Sequence, residues 1–294
     1  MDPVQIERVR RFNRLVTQRA GALEDRFLGR DRPLGESRVL YEIGRGGADL
    51  RAVRARLGLD SGYLSRLVQS LAGKGLVTVR AAPEDERVRR AELTPAGVEE
   101  LELMERRSDE AAAAILEPLT ESQRERLVAA MDEVYRLLKV SATVIERVDP
   151  ASQAARWCVA RYFAELAERF EAGFDPARSI SADDDELRPP RGAFLVATAD
   201  GEPLACGCVK VVSPGVGSIK RMWVAPAMRG LGLGRRILEA LESEARALGL
   251  GTLRLETNRA LVEARRLYER AGYVEVAPFN DDPYADHWFE KRLE

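Results

Sequence analysis

The sequence predicts two domains, a mainly α N-terminal half followed by an α+β C-terminal half. Three observations carry this. The chain has 294 residues, more than one typical domain needs. Apolar residues recur at helical spacing through most of the first 142 residues, and from Thr143 onward short strand-like runs alternate with helical ones. Charge is also unevenly placed, with 19 Lys and Arg against 13 Asp and Glu in residues 1–97 and 27 against 35 in the remainder. The boundary is expected near residue 142, giving domains 1–142 and 143–294. A basic first third on an acidic remainder suggests a polyanion partner at the N-terminal end.

Composition narrows the function classes. Hydrophobic residues make up 45 %, enough for two ordinary cores. The cysteines are Cys158, Cys206 and Cys208, a sparse odd set that argues against a disulfide framework and fits a reducing compartment. Cys206 and Cys208 alternate on one expected strand and read as small core residues. With a single histidine, His287, and no CxxC pair, no metal site is expected. No apolar run approaches the roughly 20 residues that cross a bilayer, so a soluble, cytoplasmic protein without membrane contact is expected.

In chain order, Val4, Ile6, Val9, Phe12, Leu15 and Val16 predict a first helix from Pro3 to about Leu28. A second spans about Glu36–Ile43 and ends at the glycines 44, 46 and 47. Asp49 caps a third, which carries Leu50, Val53 and Leu57 on one face. Gly58–Leu59–Asp60 turns into a fourth, about 62–74, which stops at Gly75. Two β-like runs, Leu76–Arg80 and Val88–Leu93, are joined by the polar turn Ala82–Arg87. Thr94–Pro95 starts a long helix to about Leu116, and a second long helix covers Glu121–Val140.

In the C-terminal half, Val144–Val148 reads as a strand and Ser152–Phe170 as a helix. An acidic irregular stretch, Pro176–Pro190, follows. Ala193–Ala197 and Leu204–Val212 are strands joined by the hairpin signal Asp200–Gly201. Ile219–Val224 and Leu253–Thr257 are further strands, alternating with helices Arg235–Leu248 and Leu261–Arg270. Val274–Val276 and Trp288–Lys291 end the sheet.

The N-terminal order of three helices, turn, helix, strand, turn and strand is a winged helix-turn-helix pattern. In it the second helix of the motif enters the major groove and the hairpin reaches the backbone or minor groove. With Leu64, Leu67, Val68 and Leu71 inward, Ser61, Tyr63, Ser65, Arg66 and Gln69 are left outward for bases and phosphates. The hairpin carries Arg80, Arg87, Arg89 and Arg90. This half resembles the MarR family of regulators through Asp85-x-Arg87, Leu93–Thr94–Pro95-x-Gly97 and Leu71-x-x-Lys74–Gly75–Leu76–Val77. The resemblance implies that Arg87 approaches the minor groove, that Asp85 holds the wing, and that the first and last two helices form a homodimer. The expected ligand is double-stranded DNA with a pseudo-palindromic site.

The sharpest signal is Arg229–Gly230–Leu231–Gly232–Leu233–Gly234, between a strand and a helix. The glycines allow a tight turn that presses backbone N–H groups against an anion. The helix beginning near Arg235 adds unpaired donors and the positive end of its dipole. Such a loop holds a pyrophosphate, with Arg235 and Arg236 available for charge-assisted contacts. The register GxGxG excludes a dinucleotide fingerprint, and the missing GKS or GKT ending excludes a nucleoside-triphosphate loop.

This region resembles the GNAT family of N-acetyltransferases, whose loop reads [Arg/Gln]-x-x-Gly-x-[Gly/Ala]. Arg229, Gly232 and Gly234 occupy those positions. The resemblance extends from Val224-x-Pro226 to Asn258 and to Leu267–Tyr268–Glu269–Arg270–Ala271–Gly272–Tyr273. It implies a mixed, mostly antiparallel sheet and acetyl-CoA as co-substrate, held by residues 229–235, by the backbone around Met222, Trp223 and Val224, and by Asn258. The Val224 N–H is the expected oxyanion donor and the Tyr268 hydroxyl the expected acid for the leaving thiolate. Many relatives carry a Glu on or just before the strand that precedes the loop, but here residues 217–221 read Gly-Ser-Ile-Lys-Arg. Candidates elsewhere are Asp183–Asp184–Asp185–Glu186, otherwise a solvated loop, and His287, otherwise a packed structural residue.

Together these readings predict a fused regulator and N-acetyltransferase acting on a small-molecule or protein amine. Two narrower readings stay open. In one the C-terminal domain only senses acetyl-CoA; in the other the N-terminal domain only dimerises.

Overall fold

The computed structural model describes residues 2–23, 27–82 and 85–294, without the side chains of 82–88. The chain divides into two compact units, 1–130 and 131–294. The expected boundary at 142 falls inside the second, because the last turns of a long helix bond to that unit.

In the first unit, α1 (Pro3–Arg19) starts at Asp2, whose side chain accepts from the Val4 N–H. It ends well before the expected Leu28, because the chain turns at Gly21 with φ 65°. None of its residues is buried, and its six apolar side chains are 44–59 % exposed. Next come α2 (Leu34–Ile43), the short strand β1 (Ala48–Asp49), α3 (Leu50–Leu57) and α4 (Ser61–Gly73). Asp49 and Asp60 cap α3 and α4 through the N–H groups of Arg51 and Tyr63. The wing is β2 (Val77–Ala82) and β3 (Asp85–Leu93), longer strands than the spacing suggested. β1 adds to it antiparallel, Ala48 opposite Ala91, giving the order β1-β3-β2. Val39, Leu40, Val53, Leu64 and Leu71 form the core under this sheet. Thr94 caps α5 (Pro95–Leu116), and α6 (Glu121–Ser141) follows.

The second unit contains β4 (Val144–Val148), α7 (Gln153–Arg169), β5 (Gly192–Ala199), β6 (Glu202–Ser213) and β7 (Val216–Val224). It continues with α8 (Leu233–Ala247), β8 (Thr252–Thr257), α9 (Val262–Arg270), β9 (Val274–Val276) and β10 (His287–Arg292). The sheet order is β4-β5-β6-β7-β8-β10-β9. All neighbours are antiparallel except β7 and β8. Alternation along the strands feeds two cores. Leu195, Ala197, Ala205 and Val209 pack with Leu233, Ile237 and Leu241 of α8, whereas Phe194, Val196, Cys206 and Cys208 pack with Ala155 and Cys158 of α7. Among the described residues no helix is long and apolar enough to cross a membrane.

Candidate functional site

Two features of β7 create the site. Its parallel pairing with β8 covers only Val216–Ser218 against Thr252–Arg254, after which the strands part. On its other edge the register with β6 slips, Cys206 facing Trp223 but Cys208 facing Lys220, so β7 carries one extra residue. Arg221 adopts φ 55° there, a costly conformation for a residue with a Cβ. Gly207 lies opposite the bulge, where a Cβ would come within 2.8 Å of the Met222 sulfur and of Leu241. Cys206 and Cys208 are more than core filling. Their thiols donate to the carbonyls of Arg221 (3.3 Å) and Lys220 (3.2 Å), which flank the slip.

Beyond the bulge a cleft of about 720 Å³ opens, walled by Met222, Trp223 and Val224 on one side and by Leu267 and Tyr268 of α9 on the other. Arg229, Gly230, Gly232, Leu233, Gly234 and Arg235 form its end. Gly230 and Gly232 sit at φ 80° and 83°, the left-handed region that glycine enters freely. Gly232 is the N-cap of α8, and no side chain caps the helix. The first intrahelical bond is Arg236 N–H to the Gly232 carbonyl, so the preceding N–H groups are unpaired within the helix and carry its positive dipole end.

The loop is braced from outside. Arg136, at the end of α6, donates to the carbonyls of Ala227 (2.7 Å) and Arg229 (3.0 Å). Because a trans peptide points its N–H opposite its C=O, this turns the Gly230 N–H away from Arg136. Arg229 itself donates to the Val224 carbonyl (3.0 Å) and to Glu165. Its guanidinium shapes the loop, and Val224 is left with its N–H to offer.

The Leu231 side chain packs on the α8 core, so the loop has only its backbone to offer there. One residue expected on the cofactor sits elsewhere. Asn258 lies off the cleft, its amide donating to the Tyr284 carbonyl (2.8 Å) and accepting from the Ala260 N–H (2.9 Å). Trp223 lines the cleft but is 6 % exposed, with its indole N–H on Glu165 (3.0 Å). Arg236 does not line the cleft, and its guanidinium donates to the carbonyls of Val140 and Thr143. Arg235 is exposed at the mouth, paired with Glu239.

Tyr268 is buried, and burial pushes its phenol up, so it stays protonated. It stands between the cleft and a smaller cavity of about 90 Å³. Phe163, Phe170, Phe174 and Tyr284 wall that cavity, with Lys220, Glu256, Asn258 and Asp282 contributing polar groups. Neither alternative base candidate lines it. His287 is bonded to Glu275 (2.6 Å) across β10 and β9. In the acidic run, Glu186 takes Lys210, Asp184 pairs with Arg156, and Asp185 with Arg188.

Sequence spacing alone missed several residues. Arg266 and Arg270, four apart on α9, line the cleft opposite the loop, and that i, i+4 repeat was a readable signal. Tyr162, Glu165 and the Lys220–Glu256 pair come from separate elements, and nothing local marks them.

In the first unit, Ser61, Tyr63, Ser65, Arg66 and Gln69 are all exposed on α4 while Leu64, Leu67, Val68 and Leu71 are buried. Arg66 lies over the Tyr63 ring, 5.7 Å from its centroid. Arg89 is exposed on β3. The side chains of Asp85 and Arg87 lie outside the described ones.

A family model for the acetyltransferase (GNAT) family matches residues 159–273, and one for the MarR family matches residues 29–88. The IAA acetyltransferase of Azospirillum brasilense is 38 % identical over 122 residues, covering 41 % of this chain and 78 % of that protein. An uncharacterized N-acetyltransferase of Schizosaccharomyces pombe is 32 % identical over 131 residues, 41 % of this chain and 80 % of its own length. The solved GNAT-family acetyltransferase of Staphylococcus aureus aligns at 14 % identity with a TM-score of 0.44, covering 51 % of this chain and all of that one.

Proposed function

Because this chain belongs to the acetyltransferase (GNAT) family and joins to it a MarR family domain, we propose that it moves the acetyl group of acetyl-CoA to an amine while its N-terminal unit binds DNA as a homodimer. The observation that carries the first part is the fork between β7 and β8, which ends on the uncapped N-terminus of α8. The free N–H groups of the loop and first helical turn suit a pyrophosphate, and Arg235, Arg266 and Arg270 add positive charge along the cleft. The unpaired edge of β7 offers backbone groups to an extended amide-bearing arm, as an added strand would.

In this reading the amine nitrogen attacks the thioester carbonyl as its C–S bond breaks. The Val224 N–H steadies the carbonyl oxygen as it gains charge. Tyr268 passes its phenolic proton to the leaving thiolate. The aromatic cavity beside Tyr268 receives the acceptor, a small molecule or an exposed amine of a protein. Mixing the protein with acetyl-CoA and a panel of primary amines should release CoA thiol, and calorimetry should show acetyl-CoA binding. Absence of both would remove this reading.

For the N-terminal unit, the outward polar face of α4 and the exposed Arg89 of the wing are the surface offered to a DNA groove. The unburied apolar stripe of α1 supports a second copy as its partner. Half-sites about 10 bp apart are then expected. A chain that sediments as a monomer at micromolar concentration would count against the dimer.

A further inference from the structure

Two charges are buried together where β7 and β8 part. Ser218 and Arg254 are the last paired residues of these strands, and Lys220 and Glu256 each stand two residues beyond them. Lys220 Nζ bonds to Glu256 Oε1, and the two side chains are only 11 % and 8 % exposed. Both line the small cavity that adjoins the cleft at Tyr162, Met222 and Tyr268. Among the described residues Glu256 Oε2 is buried with no hydrogen-bond partner.

The other carboxylates of these cavities are occupied. Asp282 accepts from Ser179, from the Ile180 N–H and from the Tyr284 N–H. Glu165 accepts from Arg229, Arg169 and Trp223. An unpaired buried acceptor is costly, so a free oxygen on a buried carboxylate calls for a partner. Glu256 keeps one oxygen free in the wall of the cavity that Tyr268 also lines.

We propose that Glu256 is the proton acceptor of the transfer reaction and Lys220 the positioning residue that holds its carboxylate; this rests on the acetyl-CoA reading above. The carboxylate that residues 217–221 lack is thereby supplied from the neighbouring strand. The acceptor arrives as an ammonium ion and gives one proton to Oε2. The freed lone pair forms the C–N bond to the carbonyl carbon, and the C–S bond breaks. The thiolate takes the Tyr268 proton, and Tyr268 regains one from the nitrogen as it becomes an amide. Glu256 releases its proton to solvent, one per turnover.

The charged and titratable groups facing the pair are Asp282, Lys210, Glu186 and the Cys208 thiol around Lys220, with Arg221, Tyr162, Tyr268 and Tyr284 on the walls of the small cavity. Burial lowers Lys220 to about 8.

The test uses the full chain, acetyl-CoA and the fastest acceptor of the amine panel. Glu256→Gln should lower kcat about 100-fold or more and leave acetyl-CoA affinity within twofold. The deficit should narrow as pH rises and more amine arrives already deprotonated. Glu256→Asp, which also covers a Gln variant that fails to fold, should recover part of the rate. Lys220→Met should move the acid limb of the kcat profile to higher pH, because the carboxylate loses its cation; a merely architectural pair would not move that limb. A Gln variant that binds acetyl-CoA and turns over within fivefold of wild type at pH 7 overturns the proposal while leaving the acetyl-CoA reading intact. A wild-type chain that neither binds acetyl-CoA nor releases CoA overturns both.

Discussion

Glu165 Oε2 receives two hydrogen bonds at once, from the indole N–H of Trp223 at 3.0 Å and from Arg229 at 2.5 Å. One carboxylate oxygen on α7 thus joins the strand that lines the cleft to the loop that closes it. Trp223 and Arg229 act here as parts of a frame, and the backbone between them is what that frame presents.

Burial pushes Glu165 up, but hydrogen bonds and charge from Arg229, with Arg169 and Trp223, outweigh it and hold the carboxylate below its usual range. A depressed folded-state value contributes stability above the unfolded value of about 4.3, lost as pH falls through the folded one. Glu165→Gln should therefore flatten the acid limb of denaturant midpoint against pH. The cost near pH 7 should be about 1 kcal/mol, since Arg229 is partly exposed and screened. Acetyl-CoA binding, followed by calorimetry, should weaken as the loop loosens. An unchanged acid limb would contradict the frame.

Gly232→Ala places a Cβ at φ 83°, where open space is available but the conformation costs about 1–2 kcal/mol. The loop should relax out of that turn, and acetyl-CoA affinity should fall about tenfold with little change in melting temperature. Titration calorimetry and thermal scanning together separate the two effects.

The three thiols should be silent in the folded protein. Cys158, Cys206 and Cys208 are fully buried. Burial pushes Cys208 up to about 12, and a hydrogen bond with Cys158 together with burial raises Cys206. Iodoacetamide at pH 8 should leave the native mass unchanged and add three carbamidomethyl groups after denaturation. Cys208→Ala should also loosen the bulge, at a cost of about 1–2 kcal/mol for the lost packing and weak bond.

For DNA, Arg66→Ala and Arg89→Ala should each weaken promoter-fragment binding measured by anisotropy. A residue that contacts phosphate should also reduce the slope of log affinity against log salt by about 1. If neither variant changes affinity or slope, the outward face of α4 is not the reading surface.

Much of this protein can be read from its linear order. Helix caps at Asp49, Asp60 and Thr94, the α4 face with Leu64, Leu67 and Leu71 inward, and the glycine loop before α8 are local features, set by propensity and by periodicity within a few residues. The mixed sheet and both families follow from motifs of the same kind. What the linear order left open depends on residues far apart in the chain. α1 ends at a turn rather than running to Leu28, Leu231 turns to the core, and Asn258 is spent on Tyr284. Arg136 reaches the loop from a helix assigned to the other half. The fork at Lys220 and Glu256, residues 36 apart in the chain, opens just past the last β7–β8 pair and beside the bulge at Arg221. Burial then strips both charges of water and leaves one oxygen unmatched. Periodicity reports which face of an element is apolar, but only packing decides which polar groups meet inside.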